Sequence, residues 1–133
     1  MLQTQPNLHP GVSAFEKHEL PLPQCCPISG NPQPGSKVII SYRPRELFLE
    51  VYSLRKYIDL FIGGHEQVRD MEGMIQQIAR DCANTLGAFV RVDAHLVLQR
   101  GDLMRLVAKA HPSILSPTTV EKVGGAVCPH QSE

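Results

Sequence analysis

The chain has 133 residues, enough for one domain with a modest core but too few for a separate dinucleotide-binding unit. Thirteen basic and thirteen acidic side chains cancel, so no global field draws the protein onto nucleic acid or a membrane surface, and a free nucleotide or base suits it better than a duplex. No apolar run reaches bilayer length and the first twenty residues are polar; the cysteines at 25, 26, 82 and 128 do not space as a disulfide framework. These features predict a cytoplasmic protein with reduced thiols.

Residues 1–24 contain Pro6, Pro10, Pro21 and Pro23 with little periodicity, which predicts an irregular N-terminal arm. Cys25-Cys26-Pro27-Ile28-Ser29-Gly30-Asn31-Pro32 follows. A thiol ahead of Pro and a Gly-containing turn sits on a stiff loop, the setting in which an enzyme presents a nucleophile. Cys26 is the candidate.

Lys37 to Tyr42 is β-branched and aromatic, Arg43 to Glu46 turns the chain, and Leu47 to Tyr52 returns, which predicts an antiparallel hairpin. From Ser53, placed to cap the first amides, Leu54, Tyr57, Ile58 and Phe61 recur at helical spacing until Gly63-Gly64. A second helix is expected from about Glu66 to Leu86, with Met71, Ile75, Ile78 and Cys82 on its apolar face and Gly87 as its stop. Alternation returns from Val90 to Leu98, Arg100-Gly101-Asp102 turns, and Leu103 to Ala110 gives a last strand. Residues 113–133 are rich in Pro, Ser, Thr and Gly and read as a flexible tail.

The order β-β-α-α-β-β predicts an α+β domain over residues 25–112, a four-stranded antiparallel sheet with two helices on one face. Such a sheet is open at both edges, so a homo-oligomer is expected in which several sheets join into a barrel.

Cys26-Pro27-Ile28-Ser29-Gly30-Asn31-Pro32 and the later pair His65-Glu66 resemble the 7-cyano-7-deazaguanine reductases, the nitrile reductases of the queuosine pathway, over roughly residues 26–111. Their signature reads Cys-Pro-Val/Ile-Thr/Ser-Gly-Gln/Asn-Pro-Asp. The resemblance implies a tunnelling fold and attack of Cys26 on the nitrile carbon to give a covalent thioimide. It implies that His65 positions the ligand or relays protons and that Glu66 grips the guanine-like edge of the base, where a carboxylate accepts from the ring N–H and the exocyclic amine together. Glu50 and Ser53 are further substrate-binding candidates.

The family's cofactor segment aligns with Glu50-Val51-Tyr52-Ser53-Leu54-Arg55-Lys56-Tyr57, which implies NADPH bound through Arg55 and Lys56, with Arg100 joining from a turn similar to the family's Arg-Gly-Gly. Tyr52 and Arg55 replace the family's two lysines. Gln33 stands where the family carries its acid, and an amide cannot donate a proton as a carboxylic acid does. Two other readings follow from these departures: an amidino-transfer enzyme that adds ammonia to the nitrile in tRNA, as in archaeosine formation, and a deazapurine-binding module without chemistry. No metal is expected, because Cys25, Cys26, Cys128 and His130 lack paired zinc-site spacing. No aromatic-basic patch for nucleic acid stands out in the linear sequence.

Overall fold

The computed structural model describes residues 1–26, 28–62 and 70–113. It is an α+β structure with an antiparallel sheet of four strands and a second of two. The strands are β1 (Thr4–Pro6), β2 (Glu16–Pro21), β3 (Lys37–Tyr42), β4 (Leu47–Leu49), β5 (Val90–Val97) and β6 (Leu103–Ala110), and the helices are α1 (Val51–Asp59) and α2 (Met71–Leu86).

The larger sheet runs β2-β3-β5-β6, every neighbour antiparallel. Side chains alternate between faces along a strand, so Val38, Ile40 and Tyr42 share one face with Val90, Val92, Ala94 and Leu96, and all seven are buried. Leu54 and Ile58 of α1 and Met74, Ile75 and Ile78 of α2 join them in one core. Both helices therefore cover the same face. The opposite face carries Ser41, Arg91, Asp93, His95, Arg105 and Lys109 and, among the described residues, has no helix on it.

The N-terminal arm is not irregular. Its β2 occupies the sheet edge beside β3, where the expected hairpin put residues 47–52, while β4 pairs with β1 instead. The cause lies in two polar bonds of one buried phenol. The Tyr42 hydroxyl accepts from the Leu49 N–H (2.8 Å) and donates to Glu16, so one phenol ties the end of β3 to both β4 and β2. Glu16 and His18 then lie on the core-facing side of β2 without leaving a buried charge unpaired, since His18 Nε2 stands 2.8 Å from Glu16 Oε1.

The cap of α1 also differs. Glu50 is the N-cap, accepting from the amides of Tyr52 (2.9 Å) and Ser53 (2.7 Å), and Ser53 lies inside the first turn. At α2, Asp70 caps by accepting from Gly73 N–H (2.9 Å), and Gly87 in the left-handed region (φ +66°) closes the other end with its N–H on Ala83 O (2.8 Å). The sequence-predicted start of this helix at Glu66 falls outside the described residues. Among the described residues, no helix is long and apolar enough to cross a membrane.

Candidate functional site

The cysteine loop is tied by several backbone and side-chain bonds, and Asn31 is its hub. Its carbonyl accepts from the N–H groups of Cys25 (3.1 Å) and Cys26 (2.9 Å), and its side-chain oxygen accepts from Gln99 N–H (3.0 Å) beyond the end of β5. Gly30, at φ +74°, donates to Cys26 O (2.8 Å), and Gln33 N–H reaches Val97 O (2.7 Å). The Asn31–Pro32 peptide is cis. The loop is thus fastened to the sheet where β3 begins and β5 ends.

The two adjacent thiols differ sharply. Cys25 is fully buried, and its Sγ lies 3.5 Å from Asp70 O, a weak S–H donor on a carbonyl. Cys26 is half-buried. Burial pushes its thiol up, but the Ser29 hydroxyl and the N–H groups of Ser29 and Ile28 together outweigh that push, and the thiol ends below its ordinary value of 9.0. Donors gathered around one sulfur favour the thiolate, the form that attacks carbon. Cys82 moves the other way, because complete burial within α2 pushes its thiol far up. Of the three cysteines among the described residues, only Cys26 has the exposure and polarity of a nucleophile.

Gln33 spends its side-chain amide inside the loop, donating to Gly30 O (2.9 Å) and approaching Asn31 Oδ1 (3.4 Å). It acts as a brace and carries no acidic proton. Among the described residues, the acid whose charge bears on Cys26 is Asp70, which is not among the sequence-predicted site residues. Its backbone is the one Cys25 touches, and its charge is close enough to oppose ionisation of Cys26. Burial raises the Asp70 carboxyl above its ordinary value, the Gly73 N–H pulls it back in part, and the charge of Glu72 raises it further. A carboxyl so placed keeps its proton to higher pH than a solvated aspartate.

The remaining candidates fall into three groups. His65 and Glu66 lie outside the described residues, as do Cys128 and His130. Glu50 and Ser53 line a cavity of about 300 Å³ with Tyr52, Lys56 and Tyr57. Their polar atoms also serve the fold: Glu50 caps α1 with a carboxyl held below its ordinary value by the Tyr52 and Ser53 amides, and Ser53 Oγ accepts from Gln3 N–H (2.9 Å) and donates to Glu50 O (3.0 Å). Arg55 faces elsewhere, donating to Asp59 (2.8 Å) and to Pro21 O (3.1 Å), whereas exposed Arg100, with φ +72°, stands in the turn one residue past Gln99 at the cysteine-loop end. Among the described residues, no three His, Cys, Asp or Glu side chains gather as metal ligands.

No protein-family model matches the chain, and a search of curated proteins finds no match. The functional reading therefore rests on the residues themselves and on the motif they resemble.

Proposed function

We propose that this protein is an oligomeric enzyme of the tunnelling fold that captures the nitrile of 7-cyano-7-deazaguanine on Cys26 and reduces it to the aminomethyl base, a step in making queuosine for tRNA. The observation that carries the reading is the contrast between the adjacent thiols, with Cys25 sealed in the core and Cys26 half-exposed among hydrogen-bond donors that favour its anion.

In the capture step the Cys26 thiolate bonds to the nitrile carbon, one π pair of the C≡N bond moves to nitrogen, and that nitrogen takes a proton, leaving a neutral thioimide. Asp70 is the proton source in this scheme, replacing the acid that Gln33 lacks. Its carboxyl, raised by burial, holds its proton more firmly than a solvated aspartate, and the negative charge it acquires on donating is relieved by Gly73 N–H at the head of α2. His65 and Glu66 are assigned to positioning the base, and Glu50 and Ser53, which line a cavity of their own, are the further substrate-binding candidates.

NADPH supplies hydride to the thioimide when it is bound. Lys56 and Arg100 are the cations offered to its phosphates, since Arg55 is already committed to Asp59. The homo-oligomer is supported by the edges of the larger sheet: β6 is eight residues long, has no partner on its outer side among the described residues, and exposes Leu103 and Val107.

The test is intact-protein mass spectrometry after incubation with 7-cyano-7-deazaguanine and no reductant, on the unaltered protein, Cys25→Ala and Cys26→Ala. The expected result is an adduct of the ligand's mass that disappears only with Cys26→Ala. An adduct that survives Cys26→Ala, or none on the unaltered protein although it binds the base, overturns the thioimide and moves the reading to a deazapurine-binding module.

A further inference from the structure

The other end of the larger sheet holds a feature that nitrile chemistry does not use. On the helix-free face, where β2 begins, β3 ends and β5 begins, a cavity of about 460 Å³ is lined by Phe15, Arg43, Arg45, Phe89 and Arg91. The length of β5 alone separates it from the cysteine loop by ~20 Å, at about 3.3 Å per residue. Phe15 is 58% exposed and Phe89 41%, so part of each ring faces solvent at the cavity. Arg43 holds its guanidinium 5.8 Å from the centre of the Phe15 ring, Lys17 Nζ stands 6.0 Å from the same ring, and His111 packs on Phe89 at 4.7 Å.

The charge at this end is only partly compensated among the described residues. Among the described residues, neither Arg43 nor Arg45 forms an ion pair, and Arg91 reaches Asp93 only at 3.4 Å. The Asp93 carboxylate is already taken by the two-pronged grip of Arg105, at 2.9 and 2.7 Å. In a chain of zero net charge, three guanidiniums around one apolar floor mark a local preference for anions. Arginine forks match the several oxygens of a phosphate, and aromatic faces match the plane of a base. The volume falls in the range of small-ligand pockets.

We propose that this pocket is a second ligand site, distinct from the Cys26 site, that binds a phosphorylated nucleoside, either free or as an unpaired nucleotide of an RNA strand. The base lies against Phe15 and Phe89, and the phosphate meets Arg43, Arg45 and Arg91. The site is built from residues that β2–β3–β5 pairing brings together, and it holds whether or not Cys26 captures a nitrile.

Calorimetric titration of the full chain with guanosine, with guanosine 5′-monophosphate and with a single-stranded RNA of about ten nucleotides tests the proposal. The monophosphate is expected to bind at least about tenfold tighter than the nucleoside. The double variant Arg43→Ala/Arg45→Ala should abolish that preference, Phe89→Ala should weaken both ligands, and Cys26→Ala should bind as the unaltered protein does. RNA binding tighter than the monophosphate and falling steeply with salt assigns the nucleotide to an RNA strand; equal affinities assign it to the free pool. The proposal is overturned by absence of saturable binding at millimolar monophosphate, by a phosphate preference that survives the double variant, or by loss of binding in Cys26→Ala. A double variant that changes only the sedimentation mass overturns it too, because the pocket would then be a contact between copies of the chain.

Discussion

The two ends of the larger sheet are built on opposite plans. At one, a loop of consecutive residues is drawn tight by its own backbone, with Asn31 accepting from three amides and Gln33 and Gly30 closing the remaining bonds. At the other, side chains from β2, β3, β5 and their ends stand around an open cavity, and among the described residues Arg43 and Arg45 have no ion-pair partner while Arg91 meets Asp93 only at 3.4 Å. The tight end fixes one sulfur in a defined polar shell, as covalent chemistry requires. The open end offers aromatic surface and solvent-facing cations, as reversible binding requires. Rigidity and charge have been placed apart, and a variant at one end should leave the other untouched.

The largest expected effect is at the tight end. Asp70→Asn keeps a side-chain oxygen to cap α2 but removes the proton, so thioimide formation should slow by roughly 100-fold and lose its dependence on a single protonated acid. The rate of adduct appearance as a function of pH reads this directly. An unchanged profile would return the proton to water or to His65. Monophosphate binding at the open end should not move.

A smaller effect contrasts the two ends by stability. Gly30→Ala places a Cβ at φ +74°, and since its nearest neighbours would be the Gln33 and Gln24 amide nitrogens at 3.6 and 3.9 Å, the cost is in the backbone alone. It should destabilise by about 1–2 kcal/mol. Arg43→Ala, on an exposed side chain with no carboxylate partner among the described residues, should stay within about 0.5 kcal/mol of the unaltered protein. Urea unfolding of the two variants side by side checks the contrast, and equal midpoints would erase it.

The smallest effect lies between the ends. Arg105 grips Asp93 and, against the opposing push of burial, lowers its carboxyl from 3.8 to about 2, with the charges of His95 and Arg91 assisting. Because the folded value is the lower one, the stabilisation is fully present above about pH 4 and is lost as pH falls through about 2. It amounts to about 1 kcal/mol, since the partner guanidinium is well solvated. Thermal unfolding between pH 5 and 2, compared with Asp93→Asn, isolates it.

How much of this was legible in the sequence follows from whether the signal was local. The cysteine loop, strands β3, β5 and β6, the turn at Arg100 and the stop at Gly87 each announce themselves within a few residues. β2 does not, because Glu16 and His18 hold core-facing positions where alternation calls for apolar residues, tolerable through the Tyr42 hydroxyl and the contact of the two with each other. β4 was read as the return strand of a hairpin because no short-range rule says that Leu49 N–H would be satisfied by a phenol and its outer edge by β1. Residue preference points to Ser53 as the cap, yet the Glu50 carboxylate reaches two amides at once. Asp70 was hidden inside a stretch read as continuous helix. The aromatic-basic cluster was invisible because Phe15, Arg43 and Phe89 lie on three different strands or their ends.

The grip of Arg105 on Asp93 also bears on how the sheet assembles. The helix-side contacts of β6 include Ala108 and Ala110, small and nearly interchangeable side chains that discriminate poorly between alternative alignments with β5. Sliding β6 by one residue would turn Arg105 to the opposite face and leave the nearly buried carboxylate of Asp93 with neither water nor its main cation. The ion pair is a modest source of stability in the finished protein. Its greater effect is to make the wrong alignment costly, so that the last strand closes the sheet in one way.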